Sequence, residues 1–126
     1  MSETKNKYDF VISGAGLVGC LSAILLSRIG YSCCLIEKNI ITTEKETNNY
    51  SPLSLNYRSI LILKKFKIWD DLKKISYPIK SLTLKSFNSF SRLSFTANDL
   101  NLDFLGYVFD RHKLLKVFRN ILAQED

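Results

Sequence analysis

The sequence predicts an α/β fold with a parallel β-α-β unit at its N-terminal end, an antiparallel hairpin inserted further on, and a sheet that is incomplete within these residues. Three observations predict it. Residues 8–37 read as strand, glycine-rich turn, helix and strand. Ser81 to Lys85 and Arg92 to Thr96 alternate apolar and polar side chains around Asn88 and Ser89, as a hairpin does. The chain then stops directly after a strongly patterned helix, which in such folds leads into a further strand of the same sheet. At 126 residues, 46% hydrophobic and 24% charged, the composition is that of one ordinary globular domain with its own core.

Taken in order, Tyr8 to Ser13 (YDFVIS) is a buried strand running into a glycine turn. Gly16 to Ile29 is a helix with Leu17, Leu21 and Leu25 at i, i+4 and i+8, closed by Gly30 in the position just past the helix end. Tyr31 to Glu37 (YSCCLIE) is a second apolar strand, expected to lie parallel to the first through a right-handed crossover. Asn39 to Tyr50 is polar and aperiodic and reads as an exposed loop, with Pro52 marking its end. A helix follows from about Asn56 to Lys67, with Ser59, Ile62 and Phe66 along one face, and a short helix starts near Trp69. After the hairpin, Gly106 to Phe109 reads as a strand. In the final helix Leu114, Leu115, Phe118, Ile121 and Leu122 form the apolar stripe, and Lys113, Lys116, Arg119 and Asn120 face away. The whole chain, residues 1–126, thus divides into a β-α-β unit (8–37), a helical and hairpin insertion (about 52–105) and a final helix (about 111–123).

The chemistry is concentrated in Gly14-Ala15-Gly16-Leu17-Val18-Gly19, a G-x-G-x-x-G run between a strand and a helix. In that setting the first glycine permits the tight turn, the second lets a pyrophosphate approach the backbone, and the third lets helix and strand pack closely. The helix amino end, with its orphan N–H groups and partial positive charge, faces the phosphates. Glu37 follows after seventeen intervening residues, at the end of the second strand, where a carboxylate can accept from both ribose hydroxyls. The acid disfavours a 2′-phosphate. The fold is therefore a Rossmann-like FAD/NAD(P)-binding unit, and the β-α-β residues alone leave FAD and NAD both open.

Charge and cysteine content exclude other classes. The net charge of +6 comes from thirteen Lys and five Arg scattered without an Arg-rich run or a nucleic-acid motif, so no nucleic-acid partner is expected. A basic face suits an anionic membrane surface. Cys20, Cys33 and Cys34 lack metal-ligand spacing, and the adjacent pair on a strand points to opposite faces; no metal is expected, and the thiols suit a reducing compartment. There is no membrane-spanning run and no signal-peptide pattern. The expected location is cytoplasmic, with room for peripheral attachment at the inner face of a membrane.

The string Tyr8 to Gly19 (YDFVISGAGLVG), the apolar helix and Leu35-Ile36-Glu37-Lys38 resemble the opening of class A flavoprotein monooxygenases. Ile60-Leu61, with Phe66 to Leu72 (FKIWDDL), resembles a helical segment of the ubiquinone-biosynthesis hydroxylases. Pro78-Ile79 before the hairpin and Leu105-Gly106-Tyr107-Val108 are similar to the 2-octaprenyl-6-methoxyphenol hydroxylase branch. The resemblance implies an FAD-dependent aromatic hydroxylase that takes electrons from NAD(P)H, consumes O₂ and acts on a polyprenyl phenol, with association to a membrane surface or a ubiquinone-biosynthesis complex. It implies ADP-binding roles for Gly14, Ala15, Gly16, Leu17, Val18, Gly19, Glu37 and Lys38, and a polar position near the cofactor for Arg111; no catalytic residue is assigned, and His112 is given no role. Ser51 stands where relatives carry an Arg, and Lys85-Ser86-Phe87-Asn88 replaces the usual hairpin turn. Relatives are also much longer, with Gly-Asp flavin motifs further along, so the chain by itself is expected to be inactive. A non-catalytic dinucleotide-binding module and a fragment of an NAD-dependent oxidoreductase are the alternatives.

Overall fold

Two short strands and the helix between them build the N-terminal end of the computed structural model, which describes residues 7–38, 50–87 and 90–125. Strand β1 (Phe10–Ser13) pairs in parallel with β2 (Cys33–Ile36), Phe10 opposite Cys33 and Ser13 opposite Ile36. Helix α1 (Leu17–Arg28) makes the crossover. It ends in a Schellman motif: Gly30 at φ +95° donates to Ser27 O and Tyr31 donates to Leu26 O, a left-handed turn that glycine adopts without a Cβ penalty. Asp9 ties the strand entrances together, its carboxylate accepting from the Ser32 N–H and hydroxyl, both at 2.8 Å.

The chain divides into two compact units. The first comprises residues up to 50 and from 112 onward, so most of helix α4 (Arg111–Leu122) belongs with β1, α1 and β2. Its buried side chains among the described residues are Ala15 of the loop before α1, Cys20, Ala23 and Ile24 of α1, and Leu114, Phe118 and Ile121 of α4. The face of α1 therefore differs from the expected stripe: Leu17, Leu21 and Leu25 are only half-buried, and the fully buried positions are smaller on average. Glu125, past the end of α4, bonds back to α1 through Arg28 Nε at 2.7 Å and Ser27 Oγ at 3.1 Å.

The second unit spans residues 51–111. Its sheet places β7 (Gly106–Asp110) between β3 (Pro52–Asn56) and β4 (Ser76–Ile79), antiparallel to both. The sequence did not mark β3 or β4 as strands. Each carries a proline, Pro52 and Pro78, tolerated because each strand lies at an edge where a missing N–H breaks no central ladder. Helix α2 (Tyr57–Lys65) starts where Asn56 Oδ1 accepts from the Ser59 N–H at 2.9 Å. It buries Ile60 and Leu63, so Ser59, Ile62 and Phe66 are not its core face; Ile62 is half exposed. Helix α3 (Trp69–Lys73) adds Trp69 and Leu72 to that core, and the rings of Trp69, Tyr107, Phe104 and Tyr57 run in series with centroids 4.7, 4.9 and 5.1 Å apart.

Strands β5 (Ser81–Lys85) and β6 (Arg92–Thr96) form the expected hairpin as a separate two-stranded sheet. One face pairs Leu82 with Phe95 and Leu84 with Leu93; on the other the Thr83 and Ser94 hydroxyls bond at 2.9 Å. Of the expected loop from Asn39 to Tyr50, residues 39–49 lie outside the described residues, as do the turn residues Asn88 and Ser89. The α/β architecture and the incomplete sheet agree with the sequence prediction: only two strands are parallel, and the three sheets do not join among the described residues.

Candidate functional site

The glycine loop carries the conformations its sequence requires. Gly14 sits at φ +101°, where a side chain would be strained, and its N–H donates to Ile36 O at 2.7 Å, anchoring the loop to the end of β2. A Cβ on Gly19 would fall on the carbonyl oxygen of Gly14, so only glycine permits this approach of α1 to the loop. At Gly16 the opposite holds: a Cβ would meet nothing within 4 Å. That position faces open space, as a cradle for a bulky group must.

Gly16 is also the N-cap of α1, with extended backbone and no side chain to cap the helix, and the first turn contains no acid. The N–H groups of Leu17, Val18 and Gly19 have no intrahelical acceptor by the geometry of any helix start. Val18 is 81% exposed, so the first turn is reachable from solvent. Such an end attracts an anion through its donors and its dipole.

Glu37 stands beside this loop, its Oε2 accepting from the Ala15 N–H at 2.7 Å. The carboxylate thus belongs to the same site as the glycines. Lys38 follows it and is exposed. Arg111 falls in the second unit, exposed, with its N–H donating to Ser51 O at 2.8 Å.

Arg119 reverses its expected orientation. Instead of facing away with Lys116 and Asn120, it is half-buried and its Nη2 donates to the Ala15 carbonyl at 3.3 Å. The Cys20 thiol donates to the same oxygen at 3.3 Å. Burial pushes that thiol above its ordinary range, with the charge of Arg119 opposing and that of Glu37 adding, so it remains a protonated donor at neutral pH. Helical spacing carried one signal for Arg119: it neighbours the buried Phe118 on one side and the half-buried Leu115 on the other.

A concavity of about 760 Å³ lies within the second unit. Leu55, Ile79, Leu82, Phe95, Leu100 and Leu102 line much of it, and Arg58 is its one charged residue.

A glycine cradle, an uncapped helix start and a carboxylate at the end of the next strand fit the ADP part of a dinucleotide. Residues 7–108 match the FAD binding domain family. This chain belongs to that family. The FAD-binding domain is 31% identical over 90 residues to kynurenine 3-monooxygenase of Dictyostelium discoideum, a match covering 71% of this chain and 20% of that protein. Among solved structures it is similar to the flavin-dependent monooxygenase PieE in complex with FAD and substrate, with a TM-score of 0.72, 16% identity and coverage of 98% of this chain and 23% of that one. It is also similar to Klebsiella pneumoniae HpxO complexed with FAD and uric acid, with a TM-score of 0.66, 16% identity and coverage of 97% and 31%. These structural likenesses carry the fold, which is that of flavin monooxygenases. The FAD-binding domain spans about a fifth of the curated relative and less than a third of either solved chain. Among its described residues no helix is long and apolar enough to cross a membrane, and no group of His, Cys, Asp and Glu could hold a metal ion.

Proposed function

We propose that this FAD-binding domain holds the ADP end of FAD for an aromatic hydroxylase that consumes NAD(P)H and O₂. The observation that carries the reading is the junction of Glu37 with the glycine loop, where Gly16 opens onto free space and α1 presents its amino end. Bound FAD would supply the redox chemistry with NAD(P)H and O₂. The chain's own residues bind and orient: the Gly14 to Gly19 backbone takes the pyrophosphate, Glu37 the ribose, Lys38 adds a neighbouring cation, and Arg111 gives a polar contact further along the cofactor.

For the substrate, the reading favours a polyprenyl phenol of the ubiquinone pathway. Its support is the order of strings from Ile60 to Val108 and the apolar lining of the hollow in the second unit, which suits a prenylated ring. Such a substrate places the enzyme at a membrane surface, and the net charge of +6 suits one with anionic lipids. A second reading takes the substrate as kynurenine, on the 31% identity to kynurenine 3-monooxygenase. Oxidation of NAD(P)H by the protein, supplied with FAD, separates them. Stimulation by a short-chain prenyl phenol supports the first reading; stimulation by kynurenine alone moves the assignment to the second.

A further inference from the structure

We infer that Arg119 is a positioning residue for the phosphates of the dinucleotide, acting through the peptide between Ala15 and Gly16; the inference rests on the reading of the glycine loop as a dinucleotide site. Ala15 is 2% exposed, and both of its backbone polar groups are bonded to side chains. Its N–H is taken by Glu37, from the end of β2, and its carbonyl by Arg119 of α4 and Cys20 of α1. In a planar trans peptide the carbonyl and the following N–H point in opposite directions. Pinning the Ala15 carbonyl toward the buried Cys20 therefore turns the Gly16 N–H outward. It faces the open side of the loop, where a Cβ on Gly16 would meet nothing.

Without that restraint the peptide can rotate, exchanging an outward donor for an outward carbonyl that repels phosphate. The guanidinium suits the task because its planar donors lose little freedom on forming a bond. It also places a fixed positive charge behind the loop. Helix α4 is far from the motif in sequence, so the last helix of the chain sets the shape of a site formed by residues near its beginning.

The test compares wild type, Arg119→Met and Arg119→Lys by titration with ADP and with adenosine, followed through the backbone amide signals of Gly16 and of β1 and β2. For Arg119→Met we expect about a tenfold loss of ADP affinity, the size of one charge-assisted hydrogen bond, with adenosine affinity and the strand signals unchanged. Arg119→Lys, which keeps the charge and one donor, is expected to recover part of the loss. Equal weakening of ADP and adenosine in the variants, or unaltered ADP binding, overturns the inference; if Arg119→Met does not fold, the same comparison on Arg119→Lys decides. Wild type that binds neither ligand overturns the dinucleotide reading itself, whereas wild type that binds ADP beside variants that bind it equally well overturns only the role of Arg119.

Discussion

The carboxylate of Glu37 accepts a 2.7 Å hydrogen bond from the N–H of Ala15, so the acid that closes β2 is tied to the middle of the glycine loop that follows β1. One residue thereby serves two ends. It ties the loop to the end of β2, and in the proposed function it is the acceptor for the ribose. Replacing it separates these roles. Glu37→Gln keeps an oxygen for the Ala15 N–H, and the melting temperature should hardly move. ADP affinity should fall by roughly 1.5–3 kcal/mol, the range of hydrogen bonds to charged groups. Loss of the negative charge should also narrow the preference for ADP over its 2′-phosphorylated form. Calorimetric titration with both nucleotides checks this.

Two glycines of the motif should fail in opposite ways. Gly19→Ala drives a methyl group into the Gly14 carbonyl oxygen, and only backbone movement relieves it. A stability loss of about 1–3 kcal/mol is expected, as for other overpacked sites. Gly16→Ala has open space and an ordinary φ of −78°, so its melting curve should match wild type while nucleotide binding is lost to the methyl group in the cradle. Thermal melts beside binding isotherms show both effects.

Asp9 makes the N-terminal strand pair sensitive to acid. The Ser32 N–H, and then its hydroxyl, hold the carboxyl below its ordinary value of 3.8. A group depressed in the folded state contributes stability that is present above the unfolded value and lost as pH falls through the lower folded one. Wild type should therefore lose stability below about pH 4, and Asp9→Asn should flatten that part of the curve while leaving neutral pH little changed beyond the lost bonds. Acid unfolding followed by far-ultraviolet circular dichroism measures the difference.

In the second unit the start of α2 depends on one side chain. Asn56→Ala removes the acceptor for the Ser59 N–H and should cost about 1 kcal/mol, whereas Asn56→Asp should restore it. Urea titration of the three proteins gives the comparison.

Local signals made much of the architecture legible. The glycine run, the apolar strands around it, the alternating hairpin and the heptad-like spacing of α4 each describe an element through its own residues. Strands β3 and β4 were hidden because each is short, begins or contains a proline, and owes its existence to β7, whose partner residues in β3 are 50 to 58 positions away. Helix faces were read less well than helices. In α1 the apolar residues extend around the cylinder, and packing against the strands selected the compact positions Cys20 and Ala23 over Leu17 and Leu21. In α2 the spacing of Ile62 and Phe66 misled, because Ile60 and Leu63 meet the core. The glycine loop and Glu37 were legible as a motif with a mechanism. Arg119 was not, since a basic residue at the border of an apolar stripe looks like a solvent-facing one until the tertiary fold brings it to Ala15.

The central claim is that the glycine loop and Glu37 bind the ADP part of FAD. Calorimetric titration of this chain with ADP, FAD and NAD tests it most directly. The account predicts saturable binding of ADP and FAD, abolished by Gly16→Ala without loss of fold, with NAD weaker than FAD. Tighter binding of NAD than FAD, or ADP binding that survives Gly16→Ala, would contradict it.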